Sequence, residues 1–370
     1  MPVLQLRREM LPRVISGEVH NMRIPVMDKN RVPLMPCTSA RARKLLNQGK
    51  ASAYWNKLGI FCIILNKEVE PNNQKLVVGI DPGSKFEGWS VVGTEDTVLN
   101  GMSETPIHIK KAVEVRRNMR RARRHRNLWR REARFNNRLR NKDSLPPSTL
   151  SRWQAKYRIL EQLLKVLPIS DVVVEDVNAA TKNGSKKWNL NFSPIQHGKN
   201  WLYSKIEEMG LKLHLRQGYE TKQLRDDFKL KKLSQKDKKT FSSHAVDAWV
   251  MAASVSGSTK PSWTGLFYWI PIRLHRRQLH RFEPGDGGIR TSYGGTRSMG
   301  LTRGTLVKHI KFGLVYIGGT QKNGVSLHSI VTGKRLTQNA KVSDLKILTT
   351  LHWRAWLLPT LKNGVSAAHT

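Results

Sequence analysis

The chain has 370 residues, with 65 Lys and Arg against 27 Asp and Glu, which gives a formal net charge of +38 at pH 7. This charge is far outside the magnitude of roughly 2 to 8 typical of a small soluble domain. It predicts a polyanionic partner, and nucleic acid fits best because neutralising phosphates releases counterions. An anionic membrane is the alternative, but the sequence has no run of about 18 apolar residues, so we expect no membrane association.

The hydrophobic content and the number of cysteines further limit the class of protein and its cellular compartment. With 39% hydrophobic residues the chain is not a wholly disordered basic protein. Its two cysteines, Cys37 and Cys62, are too few for a disulfide framework or a four-thiolate zinc site, which favours a reducing compartment. The first 30 residues carry charges throughout and lack the apolar segment of a secretory signal. We therefore expect a cytoplasmic protein.

The first part of the chain predicts a small basic unit. MRIPVMDKN is typical of a short strand, and VPLMP after it is typical of a turn. The segment TSARARKLLNQGKA predicts a helix, in which Thr38 or Ser39 caps the N-terminus and Gly49 ends the helix.

Buried strands and then an arginine-rich segment follow. LGIFCIIL predicts a buried strand, and KLVVGIDPGS with GWSVVG predicts two strands joined by a Gly-rich turn. Between Arg116 and Arg140 the chain holds 12 arginines and a single acid, without Pro or Gly. As one continuous helix this segment would span about 38 Å and would carry charge around its axis.

The rest of the chain alternates helices with strands and then becomes β-rich. WQAKYRILEQLLKVL predicts a helix, ISDVVVEDV a buried strand, and SHAVDAWVMAASV a final helix, which together indicate an α/β layer. From about residue 258 onward, Gly-rich β segments predict a separate small barrel or sandwich. Residues 261–370 hold 16 Lys and Arg against 3 acids, so we expect this part also to contact nucleic acid.

Acids within apolar elements are the candidates for catalysis. Asp81 ends LVVGID, Glu175 ends DVVVE, and Asp247 lies in HAVDAW. A carboxylate buried in this way is costly unless it is paired or bound to a cation. Two Mg²⁺ ions about 4 Å apart, for which Mn²⁺ can substitute, need such shared carboxylates to hydrolyse a phosphodiester. His244 lies three residues before Asp247, on the same helix face, where it could orient or deprotonate the attacking water.

Each of these residues also has an ordinary structural interpretation. Asp81 would suit the start of a DPG turn, Glu175 a salt bridge to one of the many arginines, and His244 a helix cap or a satisfied core position. Their order along the chain is more specific, with an acid after a first strand, an acid after a middle strand and a His/Asp helix last. The joint pattern favours a catalytic site in which Asp81, Glu175 and Asp247 are the metal ligands.

Several segments together resemble a known family. VVGIDPGS, VVVEDV and SSHAVDAW resemble the three split RuvC motifs of IscB and IsrB, which are transposon-encoded RNA-guided nucleases related to the CRISPR type II effectors. VPLMP resembles the PLMP motif of that family's N-terminal domain, and the arginine run resembles its bridge helix. The resemblance is carried by residues 22–255, and beyond them it rests on position and β-rich texture.

The resemblance implies an α/β fold with an RNase H-like (RuvC) core. That core is split by an Arg-rich bridge helix and flanked by a small N-terminal PLMP domain and a β-rich C-terminal domain. The implied divisions are 1–22 as an N-terminal extension, 23–73 as the PLMP domain, 74–110 as RuvC-I, 111–144 as the bridge helix, 145–200 as RuvC-II with a connecting loop, 201–257 as RuvC-III, and 258–370 as the domain that contacts the target-adjacent motif.

One departure separates the chain from IscB. An HNH nuclease domain would lie between the second and third RuvC motifs, yet residues 176–243 hold no cysteine and only two histidines, His197 and His214. A Cys-ligated HNH module cannot be built from them, so the chain resembles IsrB, the branch without HNH. This implies a prokaryotic, nucleoid-associated, RNA-guided endonuclease that nicks the displaced non-target strand of double-stranded DNA beside a flanking motif. It implies a monomeric protein bound to an omega guide RNA.

Basic residues in two predicted helices are candidates for contact with RNA or DNA. A helix with Arg on every face is destabilised by like charges three and four residues apart, whereas guanidinium groups suit phosphate. The alternative is a solvated charge run or a targeting patch. Arg41, Arg43 and Lys44 are weaker candidates, because basic surface helices are common. The candidates in the arginine run are Arg116, Arg117, Arg120, Arg121, Arg123, Arg124, Arg126, Arg130 and Arg131.

Other functions remain open from the sequence. A guide-free, structure-selective nuclease such as a junction resolvase would use the same carboxylates, but it leaves the arginine run unexplained. A catalytically silent RNA-guided DNA-binding protein leaves the acids unexplained. The related TnpB nucleases usually carry paired CxxC zinc ligands, which Cys37 and Cys62 cannot supply.

Overall fold

The structure is a computed structural model, and part of the chain lies outside the residues that it describes. The predicted N-terminal extension, 1–22, is outside them, as are residues 126–144 of the predicted bridge helix. The described ranges are 23–83, 85–106, 108–125, 145–176, 194–232, 241–263, 266–272, 282–283, 288–289, 297–298, 301–321 and 324–358.

Six α-helices lie in the described ranges, and the first begins and ends where the sequence predicts. Thr38 caps it, because its hydroxyl accepts a hydrogen bond from the Arg41 amide at 3.3 Å, and Gly49 follows it with φ +68°. None of the six is both long and apolar enough to cross a membrane. They are α1 (Ser39–Asn47), α2 (His108–His125), α3 (Pro147–Leu164), α4 (Pro194–Glu208), α5 (Gly218–Asp227) and α6 (Phe241–Ser256).

The strands of the described ranges form five sheets. The strands are β1 (Arg23–Met27), β2 (Pro33–Thr38), β3 (Ala51–Trp55), β4 (Phe61–Leu65), β5 (Leu76–Asp81), β6 (Phe86–Gly93), β7 (Thr97–Glu104), β8 (Asp171–Glu175), β9 (Lys212–Arg216), β10 (Leu266–Pro271), β11 (Phe282–Glu283), β12 (Gly288–Ile289), β13 (Arg297–Ser298), β14 (Leu301–Thr302), β15 (Thr305–His309), β16 (Gly313–Gln321), β17 (Gly324–Ser329), β18 (Arg335–Ala340), β19 (Leu345–Thr350) and β20 (Trp353–Leu358).

The largest sheet has seven strands in the order β20-β10-β7-β6-β5-β8-β9. Strands β5, β6 and β7 form an antiparallel meander, whereas β8 runs parallel to β5 and β9 runs parallel to β8. Taken in chain order, these five strands have the arrangement 3-2-1-4-5 with an antiparallel second strand, as in the RNase H-like fold. The predicted mixed α/β architecture is confirmed at this level.

The two strands at one edge of this sheet, β20 and β10, correct the expectation of a separate domain from residue 258. Strand β10 pairs parallel with β7, and β20 pairs antiparallel with β10, so two described strands of the C-terminal part belong to the central sheet. Strands β15 to β19 form an antiparallel sheet of their own, in the order β18-β17-β16-β15-β19. The local sequence of β10 does not identify its partner β7, because the two strands lie more than 150 residues apart in the chain.

The N-terminal unit is a four-stranded sheet in the order β2-β1-β4-β3. VPLMP, which the sequence predicts as a turn, instead forms most of β2 and pairs antiparallel with β1, with Ile24 opposite Cys37. Strand β2 begins with Pro33 and lies at the edge of the sheet, where a missing N–H disturbs the ladder least.

Side chains alternate between the two faces of the central sheet. Leu76, Val78 and Ile80 of β5 belong to a core that includes residues of α3 and α4, whereas Val77 packs with Trp249 of α6. Because successive strand residues point to opposite faces, Asp81 continues the series of Val77 and lies on the α6 face. The strand thereby presents its terminal carboxylate to the last helix.

Candidate active site

Two glycines allow α6 to lie directly on the central sheet. A Cβ at Gly79 would stand 1.8 Å from the carbonyl oxygen of Ala248, and a Cβ at Gly88 would stand 2.1 Å from that of His244. Since neither position has room for a Cβ, the helix backbone contacts β5 and β6. This close packing brings the predicted His/Asp pair of α6 onto the face that carries Asp81.

Asp81 and Glu175 lie side by side at the carboxyl ends of two parallel strands. Ile80 pairs with Val174, so Asp81 and Glu175 follow at the next step of both strands, and their side chains share a hydrogen bond. Asp81 is 8% exposed, and Asp247 on α6, which is 2% exposed, is near enough for its charge to act on Asp81. The structure therefore brings together three acids that are widely separated in the sequence.

The negative charges of Glu175 and Asp247 both act on Asp81. Burial, and then the charge of Glu175, raises the pKa of Asp81 well above its usual range; Asp247 adds to this effect, whereas Lys232 opposes it. A divalent cation between these groups would relieve the repulsion, and carboxylate oxygens are the ligands that Mg²⁺ prefers. The three acids are therefore donors of the right chemical type for such an ion.

Asp247 contacts two basic residues that the sequence did not identify as part of the site. Its Oδ1 accepts a hydrogen bond from Arg225 at 2.6 Å, and its Oδ2 forms an ion pair with Lys232. In the part of the chain that the structure describes, no group of three or more His, Cys, Asp or Glu side chains is arranged to hold a metal ion. Arg225 and Lys232 belong to the segment GYETKQLRDDFKLKK, but nothing in its pattern predicts contact with Asp247.

His244 lies one helical turn before Asp247 and is 7% exposed. Its ring packs on Phe86 of β6, with ring centroids 5.3 Å apart and planes inclined by 47°. The imidazole therefore has a defined position on the same face of α6 as Asp247, beside the edge at which Asp81 and Glu175 meet.

Comparisons with known proteins give one family model and 13 matching chains of solved structures, including two structures of RuvC. The model, described as RRXRR protein, matches residues 24–188, fewer than half of the chain. The structure of T. thermophilus RuvC in complex with a Holliday junction substrate is 16% identical, covering 51% of this chain and 99% of that chain, with a TM-score of 0.28. A second structure of Thermus thermophilus RuvC is 17% identical, covering 50% and 99%, with a TM-score of 0.27. TM-scores this low assign no function to the chain, and no curated protein matches it.

Within the range that the family model matches, residues 120–124 read RRARR. They lie in α2, where Arg116, Arg117, Arg120 and Arg121 are exposed, and none of these four forms an ion pair with any described residue. Arg117 lines a groove of about 540 Å³ between α2 and α3, together with Arg152. Arg123 and Arg124 belong to α2, but their side chains are outside the described part, as are Arg126, Arg130 and Arg131 altogether.

The weaker basic candidates lie on α1, the helix of the N-terminal unit. Arg41, Arg43 and Lys44 are all exposed, whereas Ala42 between them is buried against the N-terminal sheet. Helix α1 therefore presents a basic outer face and an apolar inner one.

Asp176, the residue after Glu175, forms side-chain contacts that the sequence did not predict. Asp176 accepts hydrogen bonds from Lys199, from the Tyr203 hydroxyl at 2.9 Å and from the Gln217 side chain at 3.4 Å. Burial alone would raise the pKa of Asp176, but the bonds from Lys199 and Tyr203 hold it below its usual value. Since Lys199 and Tyr203 lie on α4 and Gln217 precedes α5, Asp176 joins the end of β8 to two helices.

Proposed function

We propose that this chain is an RNA-guided DNA endonuclease that nicks the displaced non-target strand by metal-dependent, RuvC-type chemistry. The observation that carries the proposal is the meeting of Asp81, Glu175 and Asp247 at one edge of an RNase H-like sheet. The matched RRXRR family occurs in IscB- and IsrB-type nucleases, which supports a nuclease of this class.

The site residues have distinct roles in this proposal. Two Mg²⁺ ions, or Mn²⁺ in their place, would supply an activated water and neutralise charge at the phosphodiester when bound. Asp81, Glu175 and Asp247 offer the carboxylate oxygens that hold them. His244 takes the proton of the attacking water, which its place one turn from Asp247 permits.

The basic elements account for the guide and the target. The exposed arginines of α2, which form no ion pair with any described residue, bind the omega guide RNA through its phosphates, and α1 adds a second basic surface. Range 23–73 acts as the PLMP domain, and strands β15 to β19 contact the DNA motif that flanks the target, where Arg or Lys side chains can read guanine edges. In this proposal base pairing with the guide supplies the remaining sequence specificity.

The decisive experiment is cleavage of a strand-labelled duplex by protein purified with the non-coding RNA encoded beside it, in Mg²⁺ or in EDTA. Asp81→Ala should abolish cleavage. Asp226→Ala is the matched control, because Asp226 is an exposed acid at the end of α5. We expect a guide-dependent nick in the non-target strand that is lost in EDTA and in Asp81→Ala only.

Other outcomes identify the competing functions. Equal cutting with and without RNA, especially of a four-way junction, would identify a guide-free nuclease. Guided binding without any cleavage would identify a catalytically silent DNA-binding protein. Unchanged cleavage by Asp81→Ala would overturn the site itself.

A further inference from the structure

The carboxylate of Asp247 has a cation on each oxygen. Arg225 donates to Oδ1 at 2.6 Å, and the Lys232 ammonium pairs with Oδ2. The Asp247 side chain is 3% exposed, and those of Arg225 and Lys232 are 16% and 22% exposed. These are therefore interior contacts, in which solvent screens the charges little.

Arg225 belongs to a fixed element. It lies in the last turn of α5, a helix whose Leu224 packs with the core cluster formed by α6. Phe228, just past the helix end, meets Trp249 of α6 edge to face, with ring centroids 5.1 Å apart. Packing of Leu224 before it and of Phe228 after it in the chain thus holds the Arg225 guanidinium beside Asp247.

Lys232 reaches the same carboxylate from a less constrained position. The chain leaves α5 through Lys229, which has φ +54°, and Leu230 then packs on the α6 cluster. Lys232 lies two residues further on, outside any helix or strand. Its ammonium is a point charge on a flexible four-carbon stem, so it can leave Oδ2 without moving α5.

Lys232 occupies an oxygen of a proposed metal ligand. Its ammonium pairs with Oδ2 of the buried Asp247, and a carboxylate oxygen of this kind is what a divalent cation would otherwise bind. Arg225, in contrast, contacts Oδ1, the other oxygen of Asp247.

We propose that Lys232 is a resident counter-cation that a divalent metal ion must displace, and that Arg225 is a positioning residue that keeps Asp247 aimed at the site during the exchange. This proposal rests on the metal use in the proposed function. Displacement of Lys232 opposes metal binding, so the lysine lowers the metal affinity of the protein. The same lysine stabilises the carboxylate cluster when no metal is bound.

Metal binding by the full chain tests this inference without any cleavage assay. Mn²⁺ affinity would be measured by titration calorimetry for the wild type, Lys232→Met and Lys231→Met, the last a control because Lys231 is the exposed neighbour. We expect Lys232→Met to bind Mn²⁺ about tenfold more tightly, since one competing charge is removed, and Lys231→Met to match the wild type. In EDTA the melting temperature of Lys232→Met should fall, and Mn²⁺ should raise it more than in the wild type. Lys232→Gln, which keeps a neutral donor, serves if Lys232→Met does not fold.

Arg225 is tested by a pair of variants. Arg225→Ala should weaken Mn²⁺ binding, and Arg225→Lys should restore part of the affinity, because an ammonium can still reach Oδ1. Circular dichroism at the temperature of the titration would show that both are folded. Mn²⁺ binding by Arg225→Ala that is equal to or tighter than that of the wild type would overturn the positioning role.

The outcomes separate this inference from the proposed function. If Asp81→Ala abolishes Mn²⁺ binding while Lys232→Met binds no more tightly than the wild type, the displacement inference is wrong and the metal site stands. If Asp81→Ala leaves Mn²⁺ binding unchanged, the metal site is wrong and the inference fails with it.

Discussion

Gly79 of β5 lies against the carbonyl of Ala248 on α6 so closely that a Cβ at position 79 would stand 1.8 Å from that oxygen. The contact is between two backbones, so no rotamer change can relieve it. It sets the distance between the sheet, which carries Asp81, and the helix, which carries Asp247.

Gly79→Ala should therefore separate α6 from the sheet. Overpacking of a core typically costs about 1–3 kcal/mol, and we expect the upper end of this range or more for the free energy of unfolding. Cleavage should fall by about 100-fold, the loss expected for a displacement near 1 Å in a catalytic group. Chemical denaturation and single-turnover cleavage would measure the two effects.

Gly319→Ala is the control for this substitution. A Cβ at Gly319 of β16 would meet the Ser326 hydroxyl at 3.7 Å, an ordinary contact. This variant should change stability and cleavage little. Wild-type cleavage by Gly79→Ala would show that the contact does not position the site.

A buried ion pair supports the opposite face of the sheet. Lys156 of α3 pairs with Glu87 of β6, and Glu87 also accepts a hydrogen bond from the Ser103 hydroxyl at 3.0 Å. Lys156→Met should lower the free energy of unfolding by about 3–5 kcal/mol, because it leaves an uncompensated buried carboxylate. Lys165→Met breaks an exposed pair with Glu161 and should cost less than about 1 kcal/mol. Similar losses in urea denaturation of the two variants would contradict this account.

The sequence predicts the elements of the site better than their partners. Strands β5 and β8 were predictable because LVVGID and DVVVE are apolar runs that end in an acid. The glycine within LVVGID was a usable indication of close backbone approach, although it does not identify α6 as the neighbour. The convergence of the two acids with Asp247 could be expected from the family resemblance, but not from periodicity.

The contacts that could not be predicted are long-range and polar. Arg225 is one of many basic residues in the chain, and only the packing of α5 on α6 selects it as the partner of Asp247. Strand β20 likewise has no local pattern that assigns it to the central sheet, since its partner β10 lies at the other end of the C-terminal part. In both cases the tertiary arrangement decides between partners that look alike in sequence.

Asp81 should make the metal-free protein less stable as the pH rises. Burial and Glu175 raise its pKa in the folded state, so the folded chain holds this proton more tightly than the unfolded chain. The contribution of this proton to the free energy of unfolding is present below the pKa of Asp81 in the unfolded chain. It is lost as the pH rises through the pKa of Asp81 in the folded chain. In EDTA at neutral pH, Asp81→Asn should therefore melt at a higher temperature than the wild type, and the difference should shrink on acidification.

Asp171 provides a comparison of opposite sign at the other end of β8. Burial would raise its pKa, but hydrogen bonds with His214 and Ser170 lower it on balance. The contribution of ionised Asp171 to the free energy of unfolding is present above its pKa in the unfolded chain. It is lost as the pH falls through its pKa in the folded chain. Asp171→Asn should thus melt at a lower temperature at neutral pH, and thermal melts of both variants between pH 4 and about 8 would show the contrast. A destabilised Asp81→Asn at neutral pH would contradict the repulsion inferred among the three carboxylates.

The arginines of α2 make a quantitative prediction for RNA binding. Arg120 and Arg121 are exposed and form no ion pair with any described residue, so their replacement removes charge without breaking an ion pair to the described part of the chain. If each neutralises one phosphate, every Arg→Ala change should reduce the slope of log affinity against log salt by about 1. The double variant Arg120→Ala/Arg121→Ala should lower the slope by about 2, measured by fluorescence anisotropy with the guide RNA over a range of salt concentrations. Lys205→Ala, which removes a lysine already paired with Glu208, should leave the slope unchanged. A double variant with lower affinity but an unaltered slope would mean that these arginines support the helix rather than contact phosphate.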